Sequence, residues 1–131
     1  MHTEPSVALV DRLGEYDSLV EVGIGDRPAV AAALADRGRT VTATDVADRG
    51  APTGVWFVRD DVTDPTPAVY RDADAVYALN CPPELQRPLS AVAATADADC
   101  LFTTLGADPT VVDADPETLP RHTLFEATTR T

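Results

Sequence analysis

Short apolar runs alternate with helix-like patterns along the chain. Continuous or alternating runs rich in β-branched and aromatic residues predict strands, whereas apolar positions three and four residues apart predict helices. We expect strands at 19–23, 40–45, 55–61, 74–79, 100–105 and 121–129. We expect a leading helix within 4–15, a second helix over 28–38, at most a short one within 63–72, and a fourth over 83–96.

The boundaries of the second helix carry their own signals. Asp26 stands where an N-cap is expected, Pro28 suits the first helical turn, and Gly38 suits the C-terminal end. The segment between the fifth and last strands is acidic and punctuated by prolines, so it predicts a loop. The chain is therefore expected to lack a closing hairpin strand.

Strands that alternate with helices at this spacing predict one fold class. We expect a single Rossmann-like α/β domain over residues 1–131, with a doubly wound, mostly parallel sheet of five to six strands covered on both faces. A chain of this length can bury a proper core without disulfides or metals.

The charge balance narrows the function. The chain has 22 acidic against 10 basic residues, a net charge of −12, and all ten bases are arginine. This lysine-free, aspartate-rich composition resembles that of proteins from salt-loving archaea. It disfavours nucleic-acid binding, because no basic stripe is present to neutralise phosphates. No apolar run is long enough to span a membrane and no basic signal peptide opens the chain, so we expect a cytoplasmic protein.

The cysteines and histidines do not form a metal-binding pattern. Cys81 and Cys100 lie in apolar surroundings without a CxxC pair, and His2 and His122 are far from both in sequence. We expect two buried free thiols and no metal.

The candidate chemistry lies where the predicted strands end. A doubly wound sheet binds its ligand at the carboxyl ends of the strands, where the strand order reverses. Gly23 and Gly25 follow the first strand, and Asp45 ends the second, placed to accept hydrogen bonds from a ribose diol. Asp60, Asp61 and Val62 stand at the end of the third strand, where a carboxylate beside a free backbone N–H can read an adenine edge. The segment "LNCPPE", 79–84, follows the fourth strand and faces the presumed ligand.

These residues resemble those of a known superfamily. The run Glu21-Val22-Gly23-Ile24-Gly25 is similar to the E-x-G-x-G motif of Rossmann-like S-adenosylmethionine-dependent methyltransferases, over roughly residues 17–106. The resemblance implies that the glycine turn approaches the methionine part of S-adenosylmethionine. It also implies that Asp45 holds the ribose hydroxyls and that Asp61 with Val62 contacts adenine. Glu21 would belong to the same cofactor site.

The whole pattern also resembles an uncharacterised family (a UPF family) of short archaeal proteins. Its members pair the glycine turn with a D-D-V segment, here 60–62, and a P-P-x-E-L segment, for which this chain has Pro82-Pro83-Glu84-Leu85 without the intervening residue. Amino-group methyltransferases carry [D/N]-P-P-[Y/F] after the fourth strand. Here one residue, Cys81, is inserted after Asn80, and Glu84 replaces the aromatic residue. The resemblance makes Asn80 the candidate catalytic residue.

Two other functions remain open. One is a non-catalytic nucleotide-binding or regulatory module that uses the same pocket. The other is an NAD-type dinucleotide binder, which Asp45 permits, although Pro28 stands where the G-x-G-x-x-G fingerprint needs its third glycine. Each site residue is also compatible with an ordinary solvated turn. The leading hypothesis is an S-adenosylmethionine-binding protein, with methyl transfer to an unknown acceptor as its reaction.

Overall fold

The structure is a computed structural model that describes residues 6–128. Within that range the chain forms four helices and seven strands. In chain order the elements are α1 (Val7–Leu13), β1 (Ser18–Val22), α2 (Ala29–Asp36), β2 (Thr40–Asp45), β3 (Val55–Arg59), α3 (Pro67–Tyr70), β4 (Ala75–Ala78), α4 (Pro83–Thr95), β5 (Asp99–Phe102), β6 (Ala114–Leu119) and β7 (His122–Ala127). Residues 4 and 5 of the predicted leading helix and residue 129 of the predicted last strand lie outside the described residues.

All the strands belong to one sheet in the order β3-β2-β1-β4-β5-β7-β6. Strands β1 to β5 run parallel, and β7 lies antiparallel between β5 and β6. The order reverses between β1 and β4, which are direct neighbours. The predicted doubly wound, mostly parallel α/β fold is confirmed, with seven strands within residues 6–128 where five to six were expected.

The prediction that the chain lacks a closing hairpin was wrong. The acidic segment expected to be a loop contains β6, which pairs with β7 in a register that sets Pro116 opposite Phe125. The β6 sequence "ADPETL" consists largely of residues that are depleted in strands. It is tolerated because β6 is the last strand at its side of the sheet, where proline costs no hydrogen bond to a further strand.

The start of α2 also differs from the prediction. Asp26 does not cap the helix; Pro28 occupies the N-cap position, and no side chain caps the first turn. The predicted end is correct, since Gly38 follows the C-cap with a φ of 82°. A proline at the N-cap has no N–H that needs a hydrogen-bond partner.

Helices cover both faces of the sheet. On one face, α1 and α2 bury a core that includes Leu13, Leu34 and Tyr77. On the other face, α3 and α4 pack over Val76 and Phe102. Successive strand residues point to opposite faces, so β1 contributes Leu19 and Val20 to different cores. None of the helices in the described range is long and apolar enough to cross a membrane.

Candidate functional site

The glycine turn after β1 is fixed to the neighbouring strand. The backbone N–H groups of Gly23 and Ile24 both donate to the carbonyl of Thr44, at 2.9 and 3.0 Å. Gly23 and Gly25 have φ values of 72° and 57°, in the left-handed region that glycine adopts at least cost. A Cβ built on Gly23 would meet no atom within 4 Å. The turn therefore presents backbone without side chains to an open space.

Asp45 is bonded directly to that turn. Its Oδ2 accepts a hydrogen bond from the Gly25 N–H at 2.8 Å, and its Oδ1 accepts one from the Ala47 N–H at 3.0 Å. Arg49 lies 3.7 Å from Oδ1. Burial acts to raise the pKa of this carboxyl, but the bonds from Ala47 and Gly25, together with Arg49, outweigh it and hold the pKa below its usual range.

The environment of Asp45 corrects one expectation. A carboxylate placed at a strand end to accept hydrogen bonds from a ribose diol is expected to be open to solvent, whereas Asp45 is only 8 % exposed. Each carboxylate oxygen carries two acceptor sites, so one site on each oxygen remains after the bonds to Gly25 and Ala47. Asp45 thus both stabilises the turn and retains acceptor capacity.

Val46 is a residue of this edge that the sequence analysis missed. It directly follows Asp45 and is 60 % exposed, although its neighbours in the loop are mostly polar. Its carbonyl accepts a hydrogen bond from Arg59 Nε at 2.9 Å, which ties the loop to the end of β3. An apolar side chain exposed between two strand ends was the signal that could have identified it.

The segment after β3 is ordered by its own side chains. Asp61 is exposed, and its Oδ1 accepts hydrogen bonds from the Thr63 backbone N–H at 2.9 Å and the Thr63 hydroxyl at 2.7 Å. These two bonds lower the pKa of the Asp61 carboxyl. Val62 buries its side chain in the core of the α3–α4 face, and its backbone N–H forms no hydrogen bond within residues 6–128. No hydrogen bond in this range joins Asp61 or Val62 to the glycine turn.

Asp60 has a structural function that the sequence did not reveal. Its carboxylate accepts hydrogen bonds from the Tyr70 hydroxyl at 2.8 Å and from the Thr66 backbone N–H at 3.1 Å. Tyr70 is 1 % exposed, and burial raises the pKa of its hydroxyl. These contacts fix α3 against the end of β3, because Thr66 and Tyr70 bracket that four-residue helix.

Asn80 occupies a constrained turn after β4. Its φ of 54° is unusual for a residue other than glycine, and its backbone N–H donates to Thr103 Oγ1 at 2.8 Å. The Cys81 N–H donates to the Thr103 carbonyl at 2.7 Å. Thr103 therefore holds the turn through both its hydroxyl and its backbone carbonyl. Its contribution was not predictable, because it is 23 residues away in sequence.

Asn80 and Gly23 share a cavity of about 120 Å³ between the ends of β1 and β4. The amide side chain of Asn80 forms no hydrogen bond to any described residue, so it is available to a ligand. Apolar residues form the rest of the lining, among them Val22, Ala78 and Leu89. The structure thus brings the predicted catalytic residue next to the predicted glycine turn.

Glu21 lies beneath the turn, inside the protein. It is 1 % exposed, and its Oε1 accepts a hydrogen bond from the Tyr77 hydroxyl at 2.7 Å. Burial raises the pKa of the Glu21 carboxyl from 4.5 to about 7, partly offset by that hydrogen bond. Burial and the neighbouring carboxylate also raise the pKa of Tyr77 well above its usual value. A direct contact of Glu21 with a ligand stays a prediction.

The loop after β5 is attached to α4 by one buried side chain. Gln86 is fully buried; its Nε2 donates to the Pro109 carbonyl at 2.9 Å, and its Oε1 accepts from the Val111 N–H at 2.7 Å. The loop is thereby fixed beside the Asn80 turn, at the start of the same helix.

A larger cavity lies apart from the glycine turn and the Asn80 turn. It measures about 470 Å³, runs between α3 and α4, and shares no lining residue with the glycine turn. Val62 contributes its side chain to this groove, together with Tyr70 and Pro88.

Within residues 6–128, no three His, Cys, Asp or Glu side chains come together as a metal ion would require. Cys81 and Cys100 are buried and free, as predicted.

Comparisons with known proteins identify relatives over most of the chain. The model of a family described as "Uncharacterised protein family (UPF0146)" matches residues 4–125. A UPF0146 protein of Halobacterium salinarum is 55 % identical over 128 residues, covering 97 % of this chain and 98 % of the relative. A UPF0146 protein of Archaeoglobus fulgidus is 48 % identical over 90 residues, covering 69 % of each chain.

The fold is similar to that of solved methyltransferases. An RNA methyltransferase from Salinibacter ruber in complex with S-adenosyl-L-homocysteine aligns with a TM-score of 0.65 at 16 % identity, covering 97 % of this chain and 94 % of that one. A Burkholderia thailandensis 1,6-didemethyltoxoflavin-N1-methyltransferase with bound S-adenosylhomocysteine aligns with a TM-score of 0.56 at 17 % identity, covering 92 % and 75 %. At this identity the likeness establishes the fold.

Proposed function

The chain belongs to the uncharacterised protein family UPF0146, and we propose that it binds S-adenosylmethionine at the carboxyl edge of its sheet, with methyl transfer as its reaction. The observation that carries this proposal is the 2.8 Å hydrogen bond from Gly25 to Asp45. It joins the bare backbone of the first turn to the acid that ends the second strand. A ligand with a polar chain attached to a ribose needs these two groups side by side.

The parts of the ligand match the groups along this edge. The methionine part would lie over Gly23 and enter the 120 Å³ cavity next to Asn80. The ribose hydroxyls would donate to the remaining acceptor sites of Asp45. The cavity is smaller than the ~300–1,000 Å³ of typical ligand sites, so most of the nucleoside would lie along the open edge of the sheet. There, Val46 offers an apolar contact for adenine, and the Val62 N–H offers a donor.

Charge supports this ligand over a nucleic acid. S-adenosylmethionine carries a positive sulfonium, which the field of a chain with net charge −12 favours. An RNA acceptor would bring many phosphates to a surface that has no basic stripe. We therefore do not propose RNA as the acceptor, although the fold is similar to that of an RNA methyltransferase.

Asn80 is the residue proposed to act in the reaction. In methyl transfer, the acceptor's lone pair forms a bond to the methyl carbon while the sulfur–carbon bond breaks. Catalysis of this kind depends mainly on holding the acceptor in line. The Asn80 amide is available at the cavity, and Thr103 fixes its backbone. A non-catalytic module stays a competing function, because Glu84 stands where amino-group methyltransferases have an aromatic residue.

Ligand identity is tested by thermal shift and calorimetric titration in molar potassium chloride. We expect S-adenosylmethionine and S-adenosylhomocysteine to stabilise the protein by about 2.7 kcal/mol at 100 times their dissociation constants. NADP should stabilise it least, since Asp45 repels a 2′-phosphate. Stabilisation by NAD and none by the two sulfur ligands would refute the proposal.

The proposed role of Asp45 is tested with S-adenosylhomocysteine and its 2′-deoxy and 3′-deoxy analogues. A hydrogen bond to a charged group is worth ~1.5–3 kcal/mol, so losing a ribose hydroxyl should weaken binding to the natural protein by about ten- to 150-fold. In Asp45→Ala the same analogues should bind almost as well as the parent ligand. Because the parent ligand and its analogues are compared within one variant, any effect of the substitution on the turn itself cancels from the ratio of their affinities. Asp48 is an exposed acid of the same loop, and Asp48→Ala is the control. In this variant the deoxy analogues should bind as much more weakly than the parent ligand as they do in the natural protein.

Catalysis and binding are then separated by one comparison. The natural protein, offered methyl donor and a small-molecule extract of a haloarchaeal cell, should form S-adenosylhomocysteine. Asn80→Ala should lose that turnover and keep its affinity for S-adenosylhomocysteine within about threefold, since a residue that acts only in the transition state adds little to ground-state binding. Tight binding without turnover in the natural protein would favour the non-catalytic module.

A further inference from the structure

Strand β3 forms one side of the sheet and carries a large apolar side chain on its surface. No described strand lies beyond it. Trp56 is 73 % exposed and Val58 is 36 % exposed. The two residues are two positions apart, so they point to the same face of the sheet. The free edge and the apolar pair together form a surface that we name the β3 edge, made of residues Val55–Arg59.

The β3 edge is exposed because the element that crosses above it is short. The chain passes from β3 to β4 over this face through α3, which has only four residues and packs against α4. The bond from Tyr70 to Asp60 holds α3 in that position. Trp56 and its register partner Thr42 on β2 therefore remain without a covering helix.

The strand at the opposite side of the sheet, β6, differs from β3 because it carries features that prevent pairing with another chain. In β6, Pro116 removes a backbone donor and Glu117 adds a charge. Arg12 of α1 binds that glutamate at 3.0 Å, so a helix is anchored beside the strand. Strands at the side of a sheet commonly carry such features, which prevent association. Residues 50–58 contain no charged residue, and their only proline precedes the strand.

We propose that the β3 edge pairs antiparallel with the β3 edge of a second copy of this chain, about a two-fold axis at Phe57. This register pairs all five residues of β3 and sets Trp56 of each copy opposite Val58 of the other, on one face. The joined sheet is continuous through both copies.

Charge determines both the partner and the direction. Two chains of net charge −12 repel each other overall, whereas the uncharged segment 50–58 adds no repulsion of its own when it meets its own copy. Parallel pairing would place Arg59 beside Arg59 and Asp61 beside Asp61. Antiparallel pairing places Arg59 beside Val55 and separates the acids. In a two-fold symmetric dimer the β3 edge of each copy is occupied by that of the other, so no β3 edge remains free and association stops at the dimer.

The size of the contact predicts its strength. Stable complexes bury about 800 Å² per partner, and five paired residues with one tryptophan provide less than that. We therefore expect a dimer that dissociates in the micromolar to millimolar range. It should form more readily in molar salt, where the Debye length falls to ~3 Å and the repulsion between copies is screened.

The single tryptophan of the chain makes the test direct. Trp56 is the only tryptophan, so fluorescence excited at a wavelength that the three tyrosines do not absorb reports on the β3 edge alone. Sedimentation velocity and fluorescence emission are measured in molar potassium chloride from micromolar to millimolar protein. We expect the dimer mass to appear and the emission maximum to move to shorter wavelength over the same concentration range.

Two matched variants locate the interface. Val58→Lys places a charge on the β3 edge and should raise the dimer dissociation constant by about tenfold or more, with emission that stays at long wavelength. Leu105→Lys changes another exposed apolar residue, 61 % exposed, and should leave the dissociation constant unchanged. A monomer at millimolar concentration overturns the proposal. So does a dimer whose formation leaves the Trp56 emission unchanged, or one that both variants weaken equally.

Discussion

Replacing Glu21 with glutamine should stabilise the protein above neutral pH and have a pH-independent effect below pH 4.5. The Glu21 carboxyl is 1 % exposed, and burial raises its pKa from 4.5 to about 7. A group whose pKa is raised in the folded state contributes stability that is fully present below the unfolded value. That stability is lost as the pH rises through the folded value.

The magnitude follows from the same two values. Between pH 4.5 and about 7 the carboxyl ionises in the unfolded chain but stays protonated under the glycine turn. At ~1.4 kcal/mol per pH unit, the natural protein loses about 3 kcal/mol over this window, as an order of magnitude. Glutamine cannot ionise, and its amide oxygen can still accept the hydrogen bond from Tyr77. The advantage of Glu21→Gln should therefore grow through the window and level off above pH 7.

Urea unfolding in molar potassium chloride, from below pH 4.5 to above pH 7, gives the free energy of unfolding of both proteins. Only the difference between them is interpreted, because the other carboxyls titrate equally in both. Glu15→Gln, at a side chain that is 66 % exposed, is the control for the removal of one negative charge. If the Glu21→Gln difference curve is flat, the carboxyl is not desolvated as its position implies, and the reasoning from burial is refuted.

Three further predictions concern the rest of the molecule. The unfolding temperature should rise markedly from low to molar salt, as screening weakens the repulsion within a chain of net charge −12; differential scanning calorimetry measures it, and no change with salt would refute it. Cys81 and Cys100 should react slowly with a thiol reagent at pH 8 in the native state and rapidly in urea, because burial raises the pKa values of their thiols to about 11 and about 12; fast native labelling would contradict this. Thr103→Val should lower the free energy of unfolding by about 1–3 kcal/mol in chemical denaturation, because it leaves the Asn80 N–H unpaired in a left-handed turn. Thr103→Ser should keep most of the stability, and equal losses in the two variants would exclude the hydroxyl as the cause.

The parts of the fold that the sequence predicts are those governed by local patterns. Strands β1, β2, β4 and β5 are short apolar or β-branched runs between turn residues, so their positions follow from the chain itself. The proximity of the glycine turn to Asp45 follows too, because the carboxyl ends of adjacent parallel strands meet at one edge, but the hydrogen bond from Gly25 to Asp45 was not predicted. Strand β6 could not be found this way, since its residues are poor strand formers and its conformation depends on β7.

The missing parts of the candidate site are tertiary contacts. Gln86 joins α4 to a loop 23 and 25 residues later, and nothing near it in sequence specifies those partners. The same holds for Tyr77, which lies 56 residues from the carboxylate it bonds. The exposure of Asp45 was misjudged for a related reason. Its position at a strand end was correct, but the backbone donors that cover it come from two loops whose paths the sequence pattern does not define.

The position of β7 has a consequence for the order of folding. Strand β7 lies between β5 and β6 in space but follows both in sequence. Until β7 docks, the outer edge of β5 has no partner, and Leu101 and Phe102 belong to a strand that is still open. Incomplete sheets with unpaired apolar edges are prone to aggregate. A chain that refolds from the unfolded state therefore passes through a vulnerable stage that lasts until β7 inserts, and this is the stage at which a chaperone would be most useful.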